Sequence, residues 1–379
     1  AYGAVLDNPN LIAVAMVGDG ESETGPMATA WHLNKFIDPA TNGTVLPVLH
    51  RNGYKISGPT IFGRMSNEEL NSLFTGYGYH PYFVEGGEGV HARLEETLEA
   101  CYQEIQEIKK SSPVSPRMPM IILTTLKGEG GIKEIHGRKV EGNFASHQVV
   151  ATNAKTDEGE LKQVEEWLRS YKFHELFNPE TGFIDDIKAL VPREERRIGN
   201  NRQCFGGAGV CHDLFLPEVD EDANQEVVRG EGLVSNMKAA GSYLKRVIEM
   251  NESSKNFRMF SPDETYSNKL DAVFQATSRA FVWPHMDHDE DLAKNGRVIE
   301  MLSEHSLQGL MQGYVLTGRH GVFPSYEAFV QIIGSMVDQY IKFIRVAREI
   351  PWRGHVSSLN YILTSPGWAQ EHNGFSHQN

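Results

Sequence analysis

LIAVAMV, residues 11–17, runs straight into Gly18-Asp19-Gly20. A short apolar run closed by a glycine turn reads as a buried strand meeting a loop. Thr24-Gly25-Pro26 then opens a helical stretch to residue 38, with Pro26 suited to a first helical turn. The rhythm repeats outward: a strand over 45–50, a helix over 67–77, a short strand at 82–84, an amphipathic helix over 90–110 and a buried strand over 118–125. Strands alternating with helices predict an α/β unit, a parallel sheet flanked by helices. Ligands of such sheets sit at the carboxyl ends of the strands. The loops after Val17, His50 and Thr125 therefore line one rim.

Residues 151–230 are more polar and less periodic and read as a connector. They carry a helix over 161–171, a solvated charge cluster at 193–197 and a glycine-rich irregular run over 203–216. From residue 231 the βα rhythm returns. Helices are expected over 233–250, 307–316 and 326–350, and strands over 257–260, 297–301 and 359–363. The expected organisation is two α/β units in tandem, 1–150 and 231–379, joined by 151–230.

Composition narrows the function. Of 379 residues, 40% are hydrophobic and 23% charged, an ordinary globular balance. Lys and Arg number 36 against 50 Asp and Glu, a net charge of -14. That excludes a broad nucleic-acid footprint while leaving room for a local basic pocket. No run of ~18 apolar residues suggests a membrane span. The three cysteines, Cys101, Cys204 and Cys211, form no CxxC pair, so neither a disulfide framework nor a zinc knuckle is expected. The chain begins Ala-Tyr-Gly with a strand close behind and stops in NGFSHQN, so it reads as an internal piece of a longer protein.

The glycine loop has a specific chemistry. A tight loop between strand and helix aims backbone N–H groups at an anion. Asp19 in that loop would repel a phosphate directly. It is explained by a Mg²⁺ ion between carboxylate and diphosphate, since hard cations take oxygen ligands from both. A second oxygen is wanted from the neighbouring strand end, and Asn52 offers it; Asn42 lies before that strand, on the other rim. A lone Gly-Asp-Gly is as well read as a plain turn. Asn52-Gly53-Tyr54 at the next strand end tips the balance towards the ion.

GDGESETGP, WHLNKF, HRNGYKISGPT and GYGYHPYFVEG occur in that order, followed by KVEGNFASHQV, SPDETYSNKL, MLSEHSLQGLMQGYVLTGRHG and QEHNGFSHQ. Together they resemble the phosphoketolases, thiamine diphosphate enzymes related to transketolases. The resemblance spans nearly the whole chain. It implies two tandem thiamine diphosphate-binding-fold domains, both incomplete here, with thiamine diphosphate and Mg²⁺ as cofactors. Asp19 and Asn52 match the metal ligands, and Gly18, Gly20, Glu21, Tyr54 and Tyr326 join them as cofactor contacts. Glu304 in LSEH matches the acid that grips the aminopyrimidine ring. Partial desolvation behind an apolar strand would favour its protonated form; the bland alternative is an exposed Glu capping a helix that starts near Ser306. His147 and His377 match candidates for the general acid, and His works near neutral pH. Ser267, Lys269, Asn373 and His377 match substrate-phosphate contacts, with Lys269 standing where the family carries Arg. A point charge then replaces a bidentate fork. A second departure is KGEGG, residues 127–131, which lacks the family's Trp-Thr. The run of His and Asp over 285–289 reads as a polar loop.

The implied reaction is that of an aldehyde-lyase. Xylulose 5-phosphate or fructose 6-phosphate is cleaved with inorganic phosphate to acetyl phosphate and an aldose phosphate. The family's site lies across a homodimer in the cytoplasm, with no nucleic acid or membrane involved. Asp19 and Glu304 are then expected to serve one cofactor from different subunits, and the 379-residue chain alone is expected to be inactive. The alternatives are two-carbon transfer of the transketolase type and a non-catalytic scaffold; intact Asp19, Asn52 and Glu304 argue against the scaffold.

Overall fold

The computed structural model describes residues 1–197, 200–201, 213–218, 235–354 and 356–364. After a one-turn helix α1 (Tyr2–Val5), the first sheet contains β1 (Ile12–Gly18), β2 (Thr44–Arg51), β3 (Tyr79–Glu85) and β4 (Met118–Thr124). Its order is β1-β2-β4-β3 and every neighbouring pair is parallel. Gly18 lies opposite His50, and Arg51 opposite Thr124, so the three following loops leave from one rim as expected. The two inner strands are continuous apolar runs because both faces are covered; Leu49, Met120, Ile121 and Ile122 are fully buried. β1, expected as a buried strand, lies instead at the sheet edge and leaves Val14 and Met16 exposed.

The segment after Gly-Asp-Gly is not one helix to residue 38. It forms α2 (Gly25–Ala30) and then a 3₁₀ turn, Trp31–Lys35. The tighter winding sends neighbouring side chains to different cores. Trp31 packs edge-on against Phe74 and Tyr79, while Leu33 joins the core beneath the second sheet. Two further helices flank the first sheet. α3 (Asn67–Gly76) starts from a reciprocal capping box between Ser66 and Glu69, and α4 (Val90–Ser111) buries Cys101 and Ile105. Small hairpins β5–β6 (Glu134–Ile135, Arg138–Lys139) and β7–β8 (Phe177–Asn178, Gly182–Phe183) flank helix α5 (Glu158–Ser170).

The second sheet follows helix α6 (Asn236–Met250). Its strands are β9 (Phe257–Ser261), β10 (Arg279–Ala280), β11 (Leu292–Ala293), β12 (Val298–Glu300), β13 (His320–Tyr326) and β14 (Leu359–Thr364). They lie in the order β11-β10-β12-β9-β13-β14, all parallel. Helix α7 (Glu304–Leu316) links β12 to β13. The helix expected over 326–350 is corrected here. Tyr326 ends a buried strand, and helices α8 (Glu327–Val330) and α9 (Gly334–Arg348) follow it. Pro324 lies beyond the β9 ladder, which spans residues 320–322, and stands opposite Ile362 of β14.

One buried ion cluster fastens the N-terminal segment to the second sheet. Asp7 accepts bidentate bonds from Arg258 (2.8 and 2.9 Å) and Arg297 (2.7 and 3.0 Å) and one from the Tyr314 hydroxyl (2.7 Å). Arg319 donates to the Asp7 carbonyl at 2.7 Å. Burial opposes the Asp7 charge, but the Arg258 and Arg297 guanidiniums prevail and hold the carboxyl far below the usual carboxylate range. A depressed carboxyl contributes stability above its unfolded pKa and loses it as pH falls, so this contribution is complete above about pH 4. Asp7→Asn leaves buried guanidiniums uncompensated. It is expected to destabilise the chain by about 3–5 kcal/mol at pH 7, read as a lower urea midpoint; a change below about 1 kcal/mol would refute this role for the cluster.

Candidate functional site

Asp19 is 1% exposed, at the carboxyl end of β1. Its amide donates to the His50 carbonyl at 3.1 Å, extending the β1–β2 ladder by one bond. Its Oδ1 accepts from the Gly20 amide (2.8 Å), and its Oδ2 from the Gly53 amide (2.7 Å) and the Thr60 hydroxyl (2.9 Å). The loops after β1 and β2 are thus joined through this carboxylate. Gly53 has φ +84°, in the left-handed region that glycine enters freely, and this turns its N–H towards Asp19. Asn52, half-buried, accepts from the Tyr54 amide at 3.1 Å through its own Oδ1. The ring of Tyr54 lies under the Arg64 guanidinium, and its carbonyl accepts from Lys127 Nζ at 3.0 Å, tying in the loop after β4.

The remaining residues of the first unit spread along this rim. Gly18 has open space where a side chain would stand, while Gly20 is half-buried near Thr60. Glu21 is exposed at the start of a short 3₁₀ turn. His147 is exposed at the end of another, Phe144–His147, in the loop after β4. An apolar cavity of ≈ 270 Å³ lies between β1, α2 and α7. Glu21 is the one expected site residue on its wall; Asp19, Asn52 and Glu304 do not line it.

In the second unit, Glu304 is the first residue of α7 and half-buried. Ser303 caps this helix by accepting from the Ser306 amide at 3.3 Å, so the helix starts two residues earlier than expected and Glu304 is not its cap. Thr29 of α2 lies 3.1 Å from both the Ser303 and Ser306 hydroxyls, linking the two units beside Glu304. Tyr326 is buried at the carboxyl end of β13. Its amide donates to Glu264 Oε2 at 2.8 Å. Ser267 and Lys269 follow Glu264 in the loop after β9; Ser267 is half-buried, and Lys269 is exposed with φ +59°. Asn373 and His377 lie outside the described residues.

The structure therefore gathers Asp19, Asn52 and Tyr54 at one rim, and Glu304, Tyr326 and Ser267 at the corresponding rim of the second sheet. Two residues were missed in the sequence. Thr60 completes the Asp19 cradle, and only its place in the quoted SGPT motif pointed to it. Glu264, in SPDE, is 6% exposed although a charged loop residue normally reads as solvated. Elsewhere His136 bonds Glu160 at 2.9 Å and lies 3.7 Å from Asp157, which fastens the β5–β6 hairpin to α5. The run over 285–289 is an exposed loop, closed by a bond from the Met286 amide to Asp289.

This architecture has a counterpart among solved structures. The R525L variant of transketolase from Pichia stipitis matches with a TM-score of 0.52 at 17% identity, over 96% of this chain and 49% of that one. The class is a transketolase-like α/β fold. The sequence then narrows the class. A family model described as the XFP N-terminal domain matches residues 1–209, and one described as D-xylulose 5-phosphate/D-fructose 6-phosphate phosphoketolase matches residues 238–379. The chain belongs to the phosphoketolase family. It is 47% identical over 384 residues to a probable phosphoketolase of Brucella suis and 47% identical over 385 residues to probable phosphoketolase 2 of Nostoc sp.. Each match covers 100% of this chain and 48% of the relative, so the chain spans about half the length of these relatives.

Thr60→Val removes one of the three donors that hold Asp19. Because the carboxylate is buried, a loss of about 1–3 kcal/mol is expected in chemical unfolding, with Thr60→Ser close to the parent. Equal stability of all three proteins would refute the cradle.

Proposed function

We propose that the full-length protein cleaves xylulose 5-phosphate, fructose 6-phosphate or both with inorganic phosphate, giving acetyl phosphate, an aldose phosphate and water. The observation that carries this reading is the Asp19 carboxylate, buried between two parallel strand ends and joined to the Asn52-Gly53 turn. Its donor set fits a magnesium-held diphosphate. Oδ1 takes one protein hydrogen bond and keeps a lone pair, as does the Asn52 carbonyl oxygen. Two hard oxygens beside a glycine loop suit Mg²⁺ and a phosphate together.

Thiamine diphosphate supplies, when bound, the nucleophilic carbon that attacks a ketone. The chain's residues orient and protonate. Asp19 and Asn52 hold the metal, with Gly18, Gly20, Glu21 and Tyr54 around the diphosphate. Glu304 and Tyr326 bind the aminopyrimidine end. Ser267, Lys269, Asn373 and His377 take the sugar phosphate, Lys269 by point charge rather than a fork. His147 or His377 serves as the general acid that protonates the hydroxyl of the two-carbon unit, which leaves as water after the ketose is cleaved. Exposed His147 requires water to be kept away during that step. The first unit is the diphosphate-binding domain and the second the aminopyrimidine-binding domain, and the working assembly is a cytoplasmic homodimer. Among the described residues no helix is long and apolar enough to cross a membrane.

In the full-length protein, acetyl phosphate is expected from at least one of the two ketoses, and only when inorganic phosphate and thiamine diphosphate are both present. Asp19→Ala is expected to weaken cofactor binding in calorimetric titration by more than about 100-fold, beyond the loss typical of groups that merely support a metal ligand. Two-carbon transfer to an aldose acceptor without a phosphate requirement would instead indicate a transketolase-type activity. Failure of the parent protein to bind the cofactor would overturn the reading.

A further inference from the structure

Glu264 is the buried acid that the sequence reading did not use. It sits just past the carboxyl end of β9, the strand between β12 and β13. Ser261 of β9 lies opposite Glu300 of β12, so the Glu304 helix starts beside it. On its other side the Tyr326 amide donates to its Oε2 at 2.8 Å. Its own backbone is pinned, since its amide donates to Ser261 Oγ at 3.1 Å and its carbonyl accepts from the Asn268 amide and side chain. The Glu264 side chain is therefore fixed between two residues assigned to the aminopyrimidine end of the site.

We infer that Glu264 is a positioning residue for that end: it seats Tyr326 through the backbone and keeps a buried carboxyl beside the start of the Glu304 helix, at the rim of the second sheet. This rests on the phosphoketolase reading given above. Burial is the leading cause that pushes the Glu264 carboxyl up to about 7; the Tyr326 bond works against it, and the charges of Glu304, on α7, and Asp263, in its own loop, add to it. Glu304 needs a proton to hydrogen-bond a ring nitrogen as donor. Glu264, which keeps its own proton up to about pH 7, spares Glu304 a neighbouring negative charge in that range.

The sign of the pH effect follows. Between about 4.5, the ordinary Glu value, and about 7, folded Glu264 retains a proton that the unfolded chain has released. Its contribution to stability therefore falls as pH rises through that window and is level above it. The test uses the full-length protein with Glu264→Gln and Glu264→Asp. First, without cofactor, the melting temperature of Glu264→Gln minus that of the parent is expected to climb from pH 4.5 to 7 and then level off. A difference independent of pH overturns the inference. Second, parental affinity for thiamine diphosphate with Mg²⁺ is expected to fall by up to about tenfold per pH unit above pH 7, the slope for one coupled proton. Glu264→Gln should show no such break, and Glu264→Asp should restore it. Parallel profiles for parent and Glu264→Gln overturn the inference. If the parent binds no cofactor at any pH, the phosphoketolase reading fails while the melting comparison still reports on Glu264. Should Glu264→Gln not fold, infrared difference spectra of the parent with carbon-13 glutamate decide. A protonated-carboxyl band that fades through pH 7 supports the inference, and its absence overturns it.

Discussion

Asp7 is the electrostatic hinge pin of the molecule. One carboxylate answers two bidentate guanidiniums and a phenol, and all of these groups are buried. The geometry explains why so polar a cluster is tolerated inside a core. Each arginine finds further acceptors, Arg258 in the Gly296 carbonyl and Arg297 in the carbonyls of Lys255 and Phe257. Such clusters add little stability over a well-packed apolar substitute, but losing one member is expensive. Gly3 and Gly313 serve the same junction by close approach; a Cβ on Gly3 would stand 2.0 Å from the Leu310 carbonyl oxygen. With α1 seated on α7, the segment that leads into β1 has its starting point fixed, and β1 in turn aims Gly18-Asp19-Gly20.

Parallel pairing then carries that placement to the functional rims. Because all strands of a sheet run one way, every loop with chemistry leaves from the same end. In the first sheet the result is a buried carboxylate cradled by backbone and hydroxyl donors. In the second it is a half-buried acid at a helix start beside a more deeply buried one. The two rims thus pose opposite electrostatic problems. Asp19 is cradled by three donors, whereas Glu264, with one amide and two acidic neighbours, is pushed towards neutrality.

Much of this was legible in the sequence for a physical reason. Buried parallel strands must be apolar along their whole length, so the run over 45–50 and MPMIILTT identified themselves, and LIAVAMV reads alike although it lies at the sheet edge. The Gly-Asp-Gly and Asn-Gly turns marked the rim because special backbone geometry needs special residues. Strand β13 escaped the reading, which began a helix at Tyr326, the strand's last residue. Thr60 and Glu264 escaped because their roles depend on contacts 41 and 62 residues away in the chain. No local pattern encodes such a distance.

The outer strand of the first sheet has a consequence for handling the protein. β1 shows solvent a hydrogen-bonding flank that no described strand covers, with Val14 and Met16 as greasy neighbours. Such an edge is a template for strand addition by another polypeptide, and natural proteins blunt theirs with lysine, proline or a bulge. IAVAMVG contains none of the charged or proline residues that would do so. When this rail lies bare, self-association by β-augmentation competes with correct assembly, and dilution favours the orderly outcome.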